Sequence, residues 1–89
     1  MARLVFTDHL QNHVHCPPMD ADGATLGEVL AAAFRGNARA QAYVLDEQGA
    51  IRKHIAIFID GVPVQDRRAL TDPVKPASRI DVMQALSGG

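Results

Sequence analysis

The sequence predicts an α+β fold, a mixed sheet packed on one main helix, and three observations predict it. A capping box at Thr25-Leu26-Gly27-Glu28 opens a stretch whose apolar residues recur at helical spacing. Runs of strand character stand on both sides of that stretch. The strongest of these runs closes on Asp60-Gly61, the sharpest local hairpin signal in the chain. Strands, one helix, then strands again is an α+β order rather than an alternating one.

Residues 3–7 read as a first strand in which Leu4 and Phe6 face the core, because polar Arg3 and Thr7 share the parity of Val5. Residues 8–12 are polar and turn the chain. Residues 13–16 resume as a second strand, which Pro17-Pro18 ends because proline cannot donate to a ladder. Residues 20–24 are turn-rich. In the helix that follows, Leu26, Val29, Leu30, Ala33 and Phe34 form one stripe, and Gly36 suits the left-handed position just past its end. Residues 37–41 are read as connection or as a frayed continuation of the helix. Residues 42–45 and 50–52 flank the turn Asp46-Glu47-Gln48-Gly49 as a short strand pair. Residues 54–59 form the best strand, apolar on both parities, and residues 62–64 return from it at a sheet edge because of Pro63. Leu70 plugs the core. Residues 79–86 are the last strand, with Ile80, Val82 and Leu86 on one face and Asp81, Met83 and Ala85 on the other. A right-handed crossover through the helix lets this strand pair parallel to the first. A mixed sheet cradling a single helix is the β-grasp arrangement.

Composition bounds what such a domain does. The chain has 89 residues, enough for one core, with 47 % hydrophobic residues, 21 % charged and only 4 % aromatic. Aliphatic side chains must therefore fill the interior. A formal net charge of −1 with scattered Lys and Arg excludes nucleic acid and an acidic membrane surface as main partners. No apolar run reaches the ~18 residues that span a bilayer. The first residues meet an acid at Asp8 before any signal-like segment develops. The single cysteine, Cys16, closes no internal disulfide, which fits a reducing compartment. A cytoplasmic location is the expectation.

The final Ser87-Gly88-Gly89 then stands out, since Gly-Gly closes a chain by chance about once in two hundred at average glycine usage. The run from Tyr43 to Gly49, the run from His54 to Gly61 and this ending resemble the ubiquitin-like sulfur-carrier family. Its members include the small subunit of molybdopterin synthase, the thiamine-pathway carrier and a carrier used in cysteine synthesis. The excursion around Asp46-Glu47-Gln48-Gly49 is more similar to the longer, cysteine-pathway carriers. Molybdopterin subunits usually carry Pro-Pro where this chain has Gln84-Ala85, which sets it apart from that branch. The resemblance implies a ubiquitin-like domain over residues 1–86 and a flexible tail over 87–89. It further implies a ubiquitin-activating-type adenylating enzyme that uses ATP to turn the Gly89 carboxylate into an acyl-adenylate. A sulfur donor then makes the thiocarboxylate, and a biosynthetic enzyme accepts the sulfur. The protein itself is then a carrier with no bound cofactor and no catalytic residue of its own.

The residues are compatible with that chemistry. A terminal carboxylate with a pKa near ~3.5 is an anion at neutral pH and a poor electrophile, so a partner must activate it. No phosphate-binding loop for ATP is present in the sequence. Glycines pass through a narrow channel, and at ~3.3–3.6 Å per residue the segment from Leu86 to Gly89 reaches about 13 Å. The other reading is a frayed terminus without a role. Phe58, Met83 and Leu86 are the candidate docking residues beside the tail, as aromatics and Met are enriched in interface cores. Alternatively, the excursion over residues 43–52 covers Phe58. His13 and His15 share a strand face with His9 nearby, but no third ligand stands at metal-site spacing, so no metal is expected. Cys16 lacks the electropositive setting of a reactive thiol. The Arg52-Lys53-His54 and Arg67-Arg68 clusters read as solvated charge. Two functions rival the carrier: a protein modifier joined through Gly89 to a lysine, and a β-grasp binding module with an incidental tail.

Overall fold

The structure, a computed structural model, describes residues 1–6 and 18–84. The expected strand at 13–16, His9, His13, His15 and Cys16 lie outside the described residues, as do Ala85, Leu86, Ser87, Gly88 and Gly89. Among the described residues the elements are β1 (Ala2–Phe6), β2 (Met19–Ala21), α1 (Leu26–Ala33), α2 (Ala38–Val44), β3 (Ile55–Ile59), β4 (Val62–Pro63) and β5 (Arg79–Gln84). One mixed sheet runs in the order β2-β1-β5-β3-β4. β5 pairs parallel with β1, Leu4 opposite Ile80 and Phe6 opposite Val82, and antiparallel with β3, Ile57 opposite Val82. The last strand is therefore central and parallel to the first, as the crossover argument requires.

One face of the sheet carries the core. Leu4, Ile80, Val82, Ile55 and Ile57 are buried there beneath Leu26, Val29 and Leu30 of α1. Phe6 and Phe34 meet with ring centroids 6.2 Å apart, tying the end of β1 to the turn after α1. Thr25 caps α1, its hydroxyl accepting from the Glu28 amide at 3.3 Å. The Glu28 carboxylate reaches back one residue further than the motif predicts, to the Ala24 amide at 2.9 Å. The remaining first-turn donors are satisfied from the loop before β5: Leu26 donates to the Asp72 carbonyl and Gly27 to the Leu70 carbonyl, both at 2.9 Å. A cap contributes about 1 kcal/mol, whereas each buried aliphatic side chain contributes about 1.5–3 kcal/mol. Burial holds the helix in place, and the cap decides where it starts.

Three expectations are corrected. Residues 37–41 are not connection but the start of α2, so the sheet packs on two helices. Asn37 caps α2, its Oδ1 accepting from the Ala40 amide at 3.2 Å, and Ala40 and Val44 are buried one turn apart. Its Ala-rich composition favours helix, but two buried positions are too few to print a stripe on the sequence. The strand pair expected around the Asp46 turn shrinks to a single bridge between Leu45 and Ile51. The turn itself forms, with the Asp46 carboxylate accepting from the Gln48 and Ala50 amides and Gly49 at φ 85°. The third correction is β2. The antiparallel partner of β1 is Met19–Ala21, where the sequence suggested turn, with Ala2 opposite Ala21 and Arg3 opposite Asp20. Three residues are too short for an alternation to be read. The ladder and the Arg3–Asp20 ion pair at 3.5 Å identify them as strand.

The turn at Asp60-Gly61 has positive φ at both residues, 51° and 83°, which is the primed turn that matches strand twist. Asp60 then works at a distance. Its carboxylate accepts from the Arg79 amide at 2.9 Å and the Ser78 hydroxyl at 2.8 Å, and these bonds hold its pKa below the ordinary value. Ser78, only 3 % exposed, accepts in turn from the Lys75 amide. The hairpin tip is thereby locked to the entrance of β5. Leu70 is buried as expected, at φ 57°. The loop that presents it is organised by two carboxylates. Asp72 accepts from the Gln65 and Asp66 amides. Asp66 accepts from the Thr71 hydroxyl at 2.6 Å and from the Ala69 and Arg68 amides. The Thr71 hydroxyl first, then the Ala69 amide, depress the Asp66 pKa from 3.8 to about 2.

A methyl group on Gly23 would stand 2.7 Å from the Val29 nitrogen and 2.8 Å from Glu28 Cβ, inside the first turn of α1. Gly23→Ala is expected to destabilise the fold by about 1–3 kcal/mol, read by urea denaturation. Because Asp66 is more acidic folded than unfolded, it favours the folded state fully above pH values near its unfolded pKa. That contribution is lost as pH falls towards 2. Thermal melts between pH 5 and pH 2 are expected to show a shallower acid decline for Asp66→Asn than for the wild type.

Candidate functional site

β5 lies with a strand on either side and ends at Gln84, opposite Ile55. The face of the sheet away from the helices is built by the alternate residues of β1, β5 and β3. In register across the strands, Val5 stands beside Asp81, Asp81 beside Phe58, and Phe58 beside Pro63 of β4. Met83 stands beside Ala56 one step nearer the end of β5. This face is graded. At the start of β5 it carries paired charge, Arg79 to Asp81 at 3.0 Å and Arg3 to Asp20 at 3.5 Å. At the end of β5 it is apolar, with half-buried Ala56 and Phe58 and with Met83 36 % exposed.

Phe58 and Met83 thus occupy the outer face, as the alternation predicts, and Phe58 is half-buried there. The excursion over residues 43–52 turns to the other side. Val44, Leu45 and Ile51 join the helix-side core, and Tyr43 packs against it. Leu86 lies outside the described residues.

The root of the C-terminal segment has a construction that the sequence did not single out. Gln84 shares the parity of fully buried Ile80 and Val82, so its amide is turned to the helix side of the sheet. The Tyr43 hydroxyl donates to Gln84 Oε1 at 3.1 Å. The Tyr43 ring meets His54 edge-on, with centroids 5.2 Å apart and planes at 81°. The available signal was a polar residue at a core-parity position, which demands a partner.

The arginines correct another expectation. Arg67 is not solvated charge: its guanidinium donates to the carbonyls of Arg52 at 2.7 Å and Ile55 at 2.6 Å, while its own carbonyl accepts from the Ile51 amide. Arg52 Nε donates to the Ala42 carbonyl at 2.8 Å in the last turn of α2. Both side chains satisfy backbone groups that a two-residue bridge leaves open. Arg68 and Lys53 remain exposed, as expected. Among the described residues there is no cluster of three His, Cys, Asp or Glu placed to hold a metal, and no helix long and apolar enough to cross a membrane.

The sequence matches no family model and no curated protein. The structure does match solved ones over its whole length. A chain of the Amycolatopsis orientalis BexX/CysO complex superposes with a TM-score of 0.81 at 19 % identity, covering 100 % of both chains. CysO of Mycobacterium tuberculosis, described as an antigen, gives 0.79 at 16 % identity over 97 % of this chain and 100 % of its own. SAMP1 of Haloferax volcanii gives 0.75 at 21 % identity over 99 % and 98 %. At such identities the shared property is the fold, which is the ubiquitin-like β-grasp.

The Arg67 bonds to two carbonyls make a distinct expectation. Arg67→Ala is expected to cost about 1–3 kcal/mol in urea denaturation, the range for charged hydrogen bonds. Arg68→Ala, exposed and adjacent, is expected to stay within about 0.5 kcal/mol of the wild type.

Proposed function

We propose that this chain is a sulfur carrier whose Gly89 carboxylate is activated by a partner enzyme. The observation that carries the reading is the position of β5. A strand hydrogen-bonded on both sides is the firmest base in the sheet, and in the sequence only Ala85 and Leu86 separate its end from Ser87-Gly88-Gly89. The end-to-end likeness of fold to the CysO and SAMP1 structures supports the same reading, as does the resemblance in residues 43–49 and 54–61.

The chemistry divides between two proteins. A carboxylate oxygen of Gly89 attacks the α-phosphorus of ATP and pyrophosphate leaves, giving an acyl-adenylate. Sulfide-level sulfur from the donor, as hydrosulfide, attacks the acyl carbon and AMP leaves, which gives the thiocarboxylate directly. Attack of that sulfur on an electrophilic carbon of the acceptor displaces the acceptor's leaving group and forms a thioester, and hydrolysis of the thioester returns the Gly89 carboxylate and leaves a thiol on the acceptor. Each step but the presentation of the tail belongs to the adenylating enzyme, the sulfur donor or the sulfur-accepting biosynthetic enzyme. This chain contributes a narrow glycine terminus and a surface to be gripped. The grip is the apolar end of the outer face, Phe58 with Met83, with Leu86 anchoring the tail. A protein partner is in keeping with the fold's occurrence in the BexX/CysO complex.

A second reading has its own support: SAMP1 structures, whose name denotes a small archaeal modifier protein, share the fold. In that reading the acyl-adenylate ends as an amide with a lysine of another protein.

Intact mass spectrometry after incubation with a ubiquitin-activating-type enzyme, ATP and a sulfur donor separates the two. A terminal oxygen-to-sulfur exchange is the expected product, and lasting attachment to other proteins would favour the modifier. Deletion of Gly89 is expected to abolish either product without lowering the melting temperature. Phe58→Ala is expected to raise the KM for the carrier by about tenfold, in the range of a buried interface aromatic. An unchanged KM removes the docking face from the proposal.

A further inference from the structure

We infer that Tyr43 is a positioning residue for the Gly89 chemistry, acting through Gln84 to set the end of β5 from which the tail is presented. This inference rests on the carrier reading above. Three separate segments converge at that point. Tyr43 comes from the last turn of α2, His54 from the turn before β3, and Gln84 from the last position of β5. Gln84 is the register partner of Ile55, so His54 directly precedes the residue that Gln84 faces across the ladder. Beneath it the same stripe of β5 is aliphatic and fully buried at Ile80 and Val82.

A glutamine there has two states open to it. Its amide can turn out to water, which leaves the end of β5 without a side-chain tie to α2. Or it can stay on the helix side, where a half-buried carbonyl is better off with a donor. The Tyr43 hydroxyl, 3.1 Å from Oε1, selects the second state. A phenol suits this task because its ring packs on the core while the hydroxyl reaches the rim. His54 packs on the ring in a T-shaped contact.

The clamp is itself held. Arg52 donates to the Ala42 carbonyl, next to Tyr43, and Arg67 bridges the carbonyls of Arg52 and Ile55. Both ends of the Tyr43–Gln84 bond are thus referred to one small hydrogen-bonded block. The excursion that the fold carries between α1 and β3 therefore has work to do: it brings a hydroxyl to the strand end that precedes the glycines. Gly89 stands five positions beyond Gln84 in the sequence, so loosening the end of β5 lengthens the free segment and dilutes the carboxylate in a partner's active site. A misplacement of about 1 Å in an active site can cost on the order of a hundredfold in rate.

Tyr43→Phe removes the hydroxyl and keeps the ring, so the core and the His54 contact persist. Hydrogen exchange of the Met83 and Gln84 amides is expected to speed up by about fivefold in this variant, the effect of one neutral hydrogen bond. With a ubiquitin-activating-type enzyme that adenylates the wild type, kcat is expected to fall about tenfold or more while KM changes little, because the docking face is intact. Gln84→Met is expected to behave as Tyr43→Phe does, and Gln84→Glu, which keeps an acceptor for the hydroxyl, to retain the wild-type kcat. Unchanged exchange at Met83 and Gln84, or an unchanged kcat in Tyr43→Phe, overturns the inference. A rise in KM alone also overturns it, since that is a docking defect. If no such enzyme adenylates even the wild type, the carrier reading fails and the positioning role falls with it, while the exchange data still report the clamp separately.

Discussion

The parallel pairing of β1 with β5 is the constraint on which the other elements depend. Two parallel neighbours cannot be joined by a tight turn, so the chain between them has to leave the sheet and return. α1 is the part of that excursion which covers the sheet, and its stripe of Leu26, Val29 and Leu30 fits the row that Leu4, Ile80, Val82 and Ile57 present. With β5 thus in the middle, β3 and β4 complete one side and β2 the other. The short strands, three residues in β2 and two in β4, stand at the edges, where a long unpaired ladder is a liability.

Polar side chains fix the position of this framework more than its stability. Asp60 joins the hairpin tip to Ser78 and Arg79, Asp66 and Asp72 shape the loop that feeds Leu70 and the Asp72 carbonyl to the start of α1, and Arg67 holds the turn before β3. Such bonds at the surface contribute less than the burial of one core leucine, at about 1.5–3 kcal/mol. Their number matters because the loops carry many backbone groups and little regular ladder. Without those side chains the loop amides at 65–72 and the carbonyls of Arg52 and Ile55 lose their partners.

The outer face of the sheet follows from the same pairing. Helices occupy one side, so the alternate residues of β1, β3 and β5 are left to face outward. Their grading runs from ion pairs near Arg79 to apolar side chains near Met83, so the apolar part of the surface stands at the end of β5. Under the carrier reading this arrangement matches the demands of the chemistry. An unreactive carboxylate has to be delivered into another protein's active site, and the grip has to be close enough to guide it.

Much of this was legible in sequence, and the reasons are local. The capping box, the stripe from Leu26 to Phe34, the Asp60-Gly61 turn, the outward parity of Phe58 and Met83, and the terminal Gly-Gly are short-range patterns that depend on neighbours within a turn or a strand. The central place of β5 followed from topology rules applied to those patterns. The tertiary structure alone decided what depends on distant partners. β2 is a strand because β1 offers it a ladder. α2 is a helix whose two buried residues find a core built elsewhere. Arg67 bends to two carbonyls while Arg68, beside it in the chain, stays in water. Gln84 meets Tyr43 across forty-one positions of sequence. A hydrogen bond is short-ranged and directional, so a linear pattern can announce that Gln84 needs a donor, but only the folded chain brings Tyr43 to supply one.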